Sequence, residues 1–288
     1  MNEEKCKMCP LGKHEKILVA IDVSKYTEIV ANQALNIASY CGSSLFALTV
    51  VEISPDSMAM ADLPFDFIAE KMDKEARTTL DKVKAEAEKR NVGCETFLLH
   101  GLPPHRHIVE MAKDKEVDVI VIGTHGRTGL KKLLMGSVAA RVIGYAPCSV
   151  LIVPLEGAVS LKNILVATDG SKYSEAAVKE AINIAKACPS VFTVICVVKP
   201  GRPHEYREEA EKIVNQVKQE ASQAGVEGEA IVRIGEPHEV IVEIAKEKNV
   251  GTIVIGRHGR TGLKKLLMGS VTERVIGFSP CGVLVVPS

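Results

Sequence analysis

Fourteen consecutive residues, His125 to Val138 (HGRTGLKKLLMGSV), recur letter for letter as His258 to Val271. With the residues before them they read Gly123-Thr-His-Gly126, nine residues, then Gly136-Ser137-Val138; the second copy reads Gly256-Arg-His-Gly259, nine residues, then Gly269-Ser270-Val271. Glycines let backbone N–H groups approach an anion with no Cβ in the way, and a helix opened by Gly-Ser offers unpaired N–H groups and the positive end of its dipole. Arg127 with Lys131 and Lys132, repeated as Arg260 with Lys264 and Lys265, brings positive charge to the same place. The chemistry these residues suit is phosphate binding. The plainer alternative is a strand-to-helix turn: Ser at a helix start is an ordinary N-cap, and Ser270 with Glu273 has a capping-box spacing that Ser137 with Ala140 lacks. Duplication favours phosphate, because two copies that differ elsewhere keep polar loop positions with no packing requirement of their own. The loop is neither a Walker A loop nor a dinucleotide fingerprint, since Gly-x4-Gly-Lys and Gly-x-Gly-x-x-Gly are both absent.

Asp22 and Asp169 each follow an apolar run, ILVAID and ILVATD, where an unpaired carboxylate is costly. One reading makes each the cap of the next helix. The other has it accept hydrogen bonds from ribose hydroxyls, with a base lying against strand ends such as Val50 and Val197. Cys6-Lys-Met-Cys9 with His14 has the ligand types of a zinc or redox site. Only three ligands lie together there, so a metal shared between chains stands against a simple tail. His100, His105 and His107 surround a Gly-Leu-Pro-Pro turn, of which the second copy keeps only His238.

The elements that position these residues alternate in period. Ile17–Ile21 is strand-like; Tyr26–Cys41 puts Val30, Ala34, Ile37, Ala38 and Cys41 on one helical face; Leu45–Val51 is again strand-like. A long amphipathic helix follows, carrying Met72, Ala76, Leu80, Val83 and Ala87, matched by Tyr206, Ala210, Ile213, Val217 and Ala221. A strand over Cys94–Leu99, a helix over Pro104–Glu116, a strand over Val117–Ile122, the glycine loop, a helix over Ser137–Tyr145 and a strand over Val150–Val153 complete the copy. Apolar strands separated by helices imply parallel α/β sheets covered on both faces, with the ligand at the carboxyl ends of the strands. The expected division is a tail at 1–15, domains at 16–155 and 162–288, and a linker at 156–161. Copy one holds 14 extra residues, including Ser57 to Ala61 and Leu63-Pro-Phe65, suited to a lid or a partner surface.

Composition narrows the partners. In 288 residues, 36 Lys and Arg balance 36 Asp and Glu, and 46% of residues are apolar. A balanced chain lacks the basic excess that nucleic acid or an anionic membrane selects. No apolar run approaches the ~20 residues of a spanning helix, and residues 1–16 lack a secretory core, so the expected location is cytoplasmic. Eight cysteines, scattered, read as buried thiols rather than a disulfide framework.

The strand ILVAID, the spacing Gly-x2-Gly-x9-Gly-Ser, and the last strand after Ala146-Pro147-Cys148 or Ser279-Pro280-Cys281 resemble the universal stress protein family, in particular its ATP-binding subclass. The resemblance implies two tandem doubly wound α/β domains, each a five-stranded parallel sheet of order 3-2-1-4-5 with helices on both faces. It implies ATP or AMP in each domain, with Mg²⁺ as an optional companion. Asp22 and Asp169 would hold ribose; Val50 and Val197 would offer backbone groups to adenine; Ala20 and Ala167 would line the base, with Ile122 and Ile255 closing the floor. Gly123, Gly126, Arg127, Gly136, Ser137 and Val138 would cradle phosphates in copy one, and Gly256, Gly259, Arg260, Gly269, Ser270 and Val271 in copy two. It also implies antiparallel pairing of the two last strands within the chain, a pseudo-dimer, with a further dimer of chains left open. The function expected is a nucleotide-binding stress or regulatory protein. Its rivals are an enzyme, either a slow ATP hydrolase or a relative of nucleotide-activating synthetases, against which no pyrophosphatase loop, His-Ile-Gly-His element or acidic cluster for Mg²⁺ beyond the single Asp is present, and a structural interaction module.

Overall fold

The structure, a computed structural model, describes residues 16–52, 65–101, 103–124, 135–157, 159–188, 190–260 and 267–287. The Cys6, Cys9 and His14 trio, Gly126, Arg127, the lysine pairs and most of the 14-residue excess lie outside them. The first half runs β1 (Lys16–Ala20), α1 (Thr27–Cys41), β2 (Ser44–Val51), α2 (Phe65–Lys89), β3 (Cys94–His100), α3 (Pro104–Asp114), β4 (Val119–Gly123), α4 (Ser137–Tyr145) and β5 (Ser149–Val153). The second half repeats it: β6 (Asn163–Ala167), α5 (Lys172–Ala187), β7 (Val191–Val198), α6 (His204–Gln223), β8 (Gly228–Ile234), α7 (Pro237–Glu247), β9 (Thr252–Gly256), α8 (Ser270–Phe278) and β10 (Gly282–Val286).

Within each half all strand pairs are parallel, in the order β3-β2-β1-β4-β5 and its counterpart β8-β7-β6-β9-β10. The two halves share one ten-stranded sheet, because β5 and β10 pair antiparallel. Leu151 faces Leu284 at the centre of that pairing, with Val150 opposite Val285 and Ile152 opposite Val283. These are equivalent positions of the two copies, so the junction has an approximate two-fold symmetry. Each face of the sheet carries one apolar layer that continues across it. Ile17, Leu35, Leu284 and Phe192 belong to the layer under α1, α2, α5 and α6; Leu18, Ile143, Val283 and Ile253 belong to the layer under α3, α4, α7 and α8.

Local chemistry explains the departures from the sequence pattern. The helix expected to reach Glu116 stops at Asp114, and β4 starts at Val119 rather than Val117. Glu116 takes a left-handed φ of 53°, which turns the chain so that the Val117 N–H donates to Ala112 O at 2.8 Å. On α6 the buried position is Val214 rather than Ile213, which packs instead against Gly170, a glycine at φ 74° with no room for a Cβ. The linker is docked rather than free: the Ser160 N–H donates to Gly251 O at 3.1 Å, Thr252 Oγ1 donates to Ser160 O at 2.9 Å, and Val159 packs on Gly282.

Candidate functional site

The second copy carries the fuller site among the described residues. Its strand order puts β6 between β9 and β7, so Asp169, two residues beyond β6, has the glycine loop on one flank and the end of β7 on the other. One carboxylate oxygen of Asp169, Oδ1, accepts from the Ser171 N–H at 3.0 Å and from Ser174 Oγ at 3.0 Å. Ser171 in turn caps α5, its hydroxyl accepting from the Ser174 N–H at 3.3 Å. Oδ2 accepts from the Arg260 N–H at 2.8 Å. Burial by itself would raise the carboxyl's pKa, but the hydrogen bonds from Ser171, Arg260 and Ser174 outweigh it and hold the pKa below the ordinary 3.8. The cap of α5 is thus Ser171 rather than Asp169, whose carboxylate organises the turn before the helix and presents an ionised group at the strand edge.

The glycine loop closes on that carboxylate. Arg260 Nε donates to Asp169 O at 2.7 Å, and Nη2 pairs with Glu209 on α6 at 2.9 Å. A Cβ on Gly259 would stand 2.8 Å from Asp169 Oδ2, so the loop approaches this near only as glycine. The base of the loop is fixed by the Gly269 N–H donating to Arg257 O at 2.8 Å. Gly269 is the N-cap of α8 and makes no side-chain cap bond. The expected capping box is thus absent: Ser270 sits one position inside the helix, and Glu273 bonds Gly269 O through its backbone N–H. Gly256 has a second reason to be glycine, since a Cβ there would meet Tyr173 O at 2.6 Å.

These groups surround a cavity of about 350 Å³ at the carboxyl edge of the sheet, within the range of small-molecule sites. Ala167, Asp169, Val197, Ile255, Gly256, Gly259, Arg260, Gly269, Ser270 and Val271, the ten second-copy positions that the family resemblance implies for nucleotide, line it. Lys199, Arg202 and Tyr206 line it too and were not anticipated. The Arg202 guanidinium lies 5.0 Å from the centroid of the Tyr206 ring, a cation–π contact. Their signal was available, because Lys199-Pro-Gly-Arg202 directly follows β7 at the same sheet edge that marked Asp169. Cys196, also in the wall, has its thiol pKa pushed up to about 11 by burial. His258 lines the cavity beside the Tyr173 ring, and burial, with the nearby Arg257 charge, pulls its pKa below the ordinary 6.5.

In the first copy the described parts have the same plan. Asp22 Oδ1 accepts from the Ser24 N–H at 3.2 Å and from Thr27 Oγ1 at 3.3 Å. The Gly136 N–H donates to Thr124 O at 2.7 Å, and Gly136 is the N-cap of α4 with no side-chain cap bond, so Ser137 again lies inside the helix. Ala20 and Ile122 are paired neighbours at the ends of β1 and β4, as Ala167 and Ile255 are in β6 and β9; Gly123 is the last residue of β4, and Val138, in the first turn of α4, packs against the core. A cavity of about 20 Å³ touches Asp22 and Val50, walled by Thr49, Met72 and Glu75. Among the described residues no group of three His, Cys, Asp or Glu is placed to hold a metal ion, and no helix is long and apolar enough to cross a membrane.

Comparison with known proteins gives a consistent result. A model of the universal stress protein family matches the chain twice, over residues 13–154 and 160–287. A universal stress protein of Methanocaldococcus jannaschii is 40% identical over 140 residues, 49% of this chain and 82% of that one. Another, of Bacillus subtilis, is 33% identical over 143 residues, 43% of this chain and 97% of that one. Among solved structures, a universal stress protein from Archaeoglobus fulgidus is similar with a TM-score of 0.76, at 22% identity, over 94% of this chain and 96% of that one; at that identity the likeness speaks for the fold.

Proposed function

The chain belongs to the universal stress protein family, and from that premise we propose that each of its two domains binds an adenine nucleotide, ATP or AMP, as a regulatory ligand. The observation that carries this reading is the convergence of all ten second-copy positions on one mononucleotide-sized cavity. Asp169 accepts the ribose hydroxyls there, exchanging its contact with Arg260 for them. The N–H groups of Gly259, Ser270 and Val271 receive the phosphates, with Gly269 leaving room beside them, and the base lies against Val197, Ala167 and Ile255. Asp22, Val50, Ala20, Ile122, Gly123, Gly126, Arg127, Gly136, Ser137 and Val138 have the same roles in the first domain. Asp169 is the one carboxylate lining the second cavity among the described residues, so Mg²⁺ enters with ATP, held by its phosphates. The domains span 16–155 and 162–288, joined by 156–161, and the β5–β10 pairing makes the chain an internal pseudo-dimer. Function runs through nucleotide-dependent conformation and partner choice in the cytoplasm, with no call on nucleic acid or membrane.

The test is to denature the purified chain, identify any released nucleotide by mass, and titrate the emptied protein by calorimetry. Adenine nucleotide approaching two per chain, by release or by titration, is the expected result. A chain that releases none and gives no heat with ATP, ADP or AMP overturns the reading.

A further inference from the structure

We propose that Arg257 is a positioning residue that ties the second site to the first, by gripping the far end of the helix whose start cradles the first site's ligand; this rests on the nucleotide reading above. Arg257 lies inside the glycine loop of the second copy, between Gly256 and His258. Its backbone forms the base of that loop: the N–H donates to Val286 O at 2.9 Å, and the carbonyl accepts from the Gly269 N–H at 2.8 Å. Its side chain leaves the domain. Nη1 donates to Gly144 O at 3.1 Å and Nη2 to Ala146 O at 2.8 Å, more than a hundred residues away in sequence.

Those carbonyls end α4. A helix end has unpaired carbonyls and the negative pole of the dipole, both of which favour a cation. The start of α4 is Gly136-Ser137, the phosphate cradle of the first domain, and nine residues at 1.5 Å each set the two ends about 13 Å apart. The antiparallel junction causes this meeting. Because β5 and β10 run in opposite directions, the ligand edge of the second domain lies beside the opposite edge of the first, where α4 finishes. The contact is packed as well as polar. Leu267, close to the Gly269 cap, fills the space a Cβ on Gly144 would need, and Arg257 Nε is buried without a partner among the described residues. A planar fork bonded to two carbonyls shifts only by loosening both.

The equivalent residue in the first copy is Thr124. Its backbone makes the same two bonds, to Val153 O at 3.1 Å and from the Gly136 N–H at 2.7 Å. Its short buried side chain makes no hydrogen bond to the end of α8 among the described residues. Among the described residues the link between sites therefore runs from Gly269 through Arg257 and α4 to Gly136. Linkage makes the resulting coupling mutual.

Hydrogen–deuterium exchange on the full chain reads this directly. With the first site disabled by Asp22→Ala, saturating ATP at the second site is expected to slow exchange of the α4 amides, residues 137–145, by ~5-fold or more, the lower end of measured couplings. Adding Arg257→Met, which keeps an apolar stem, is expected to abolish that slowing while residues 252–260 keep their ATP protection. Slowing of α4 that survives Arg257→Met, or an α4 indifferent to ATP while residues 252–260 are protected, overturns the proposal. A nucleotide-free arm separates its failure from that of the nucleotide reading. Without ATP, Arg257→Met is expected to speed exchange in α4 relative to α8, and unchanged relative rates overturn the grip on α4 whether or not ATP binds. ATP protection of no segment overturns the nucleotide reading instead. Should Arg257→Met fail to fold, Arg257→Lys, which keeps the charge and loses the fork, carries both comparisons with a partial loss expected.

Discussion

Asp169 concentrates the chemistry of the second site, and its environment fixes how it responds to substitution and to pH. Its carboxylate accepts from Ser171, Ser174 and the Arg260 backbone, and hydrogen bonds to a charged group contribute roughly 1.5–3 kcal/mol each. Asp169→Asn is therefore expected to weaken nucleotide binding at the second site by about tenfold or more in calorimetry, and to lower unfolding stability at pH 7. The sign with pH follows from the depressed pKa. A carboxyl ionised more readily in the folded state contributes stability fully above the ordinary 3.8, and that contribution is lost as pH falls through the lower folded value. The stability difference between wild type and Asp169→Asn, followed by urea unfolding, should be largest near neutrality and shrink in that acidic window; a difference that is constant with pH would show that the carboxylate's charge is not what the variant removes. Asp169 and the glycines were legible in the sequence because they recur and because strand ends mark ligand edges. Lys199 and Arg202 carried only the weaker of these signals, their place after β7, since Lys199-Pro-Gly-Arg202 has no repeat in the first copy for duplication to mark.

Apolar periodicity marks the helices and strands, and the family resemblance implies their order in the sheet; neither fixes the ends, where one hydrogen bond or one backbone angle decides. Glu116 at positive φ ended a helix that its side chains were able to continue. The capping box failed because Gly269 occupies the cap, one residue before the serine whose spacing suggested it. Two matched helix glycines make the contextual part measurable. Among the described residues nothing stands where a Cβ on Gly277 in α8 would lie, whereas at Gly144 in α4 the Cβ would meet Leu267 Cβ at 2.9 Å. Gly277→Ala is expected to stabilise the chain by about 0.5–1 kcal/mol through helix propensity. Gly144→Ala is expected to lose that gain and destabilise by about 1–3 kcal/mol through overpacking. Guanidinium melts of the two variants decide the matter, and equal gains at both positions would mean that α4 and Leu267 do not pack as described.

At the scale of the molecule, the β5–β10 junction turns two domains into one sheet with two shared apolar layers. Its register centres on equivalent leucines, so a domain alone carries an edge complementary to itself. Residues 162–288 expressed alone are expected to sediment at twice their monomer mass, joined through β10; a monomer at high concentration would show that the docked segment at 159–161, rather than strand pairing, dominates the junction. The repeat, the α/β order and the chemistry of the glycine loop were written in the chain itself, because identical residues at fixed spacing and apolar periods of strand and helix are local properties. Tertiary structure decided that Lys199, Arg202 and Tyr206 wall the second cavity, and that a loop arginine of one domain ends a helix of the other. Those facts depend on which strand edges meet and in which direction, and the direction of pairing is set by burial summed over both domains rather than by any residue's own neighbours in the sequence.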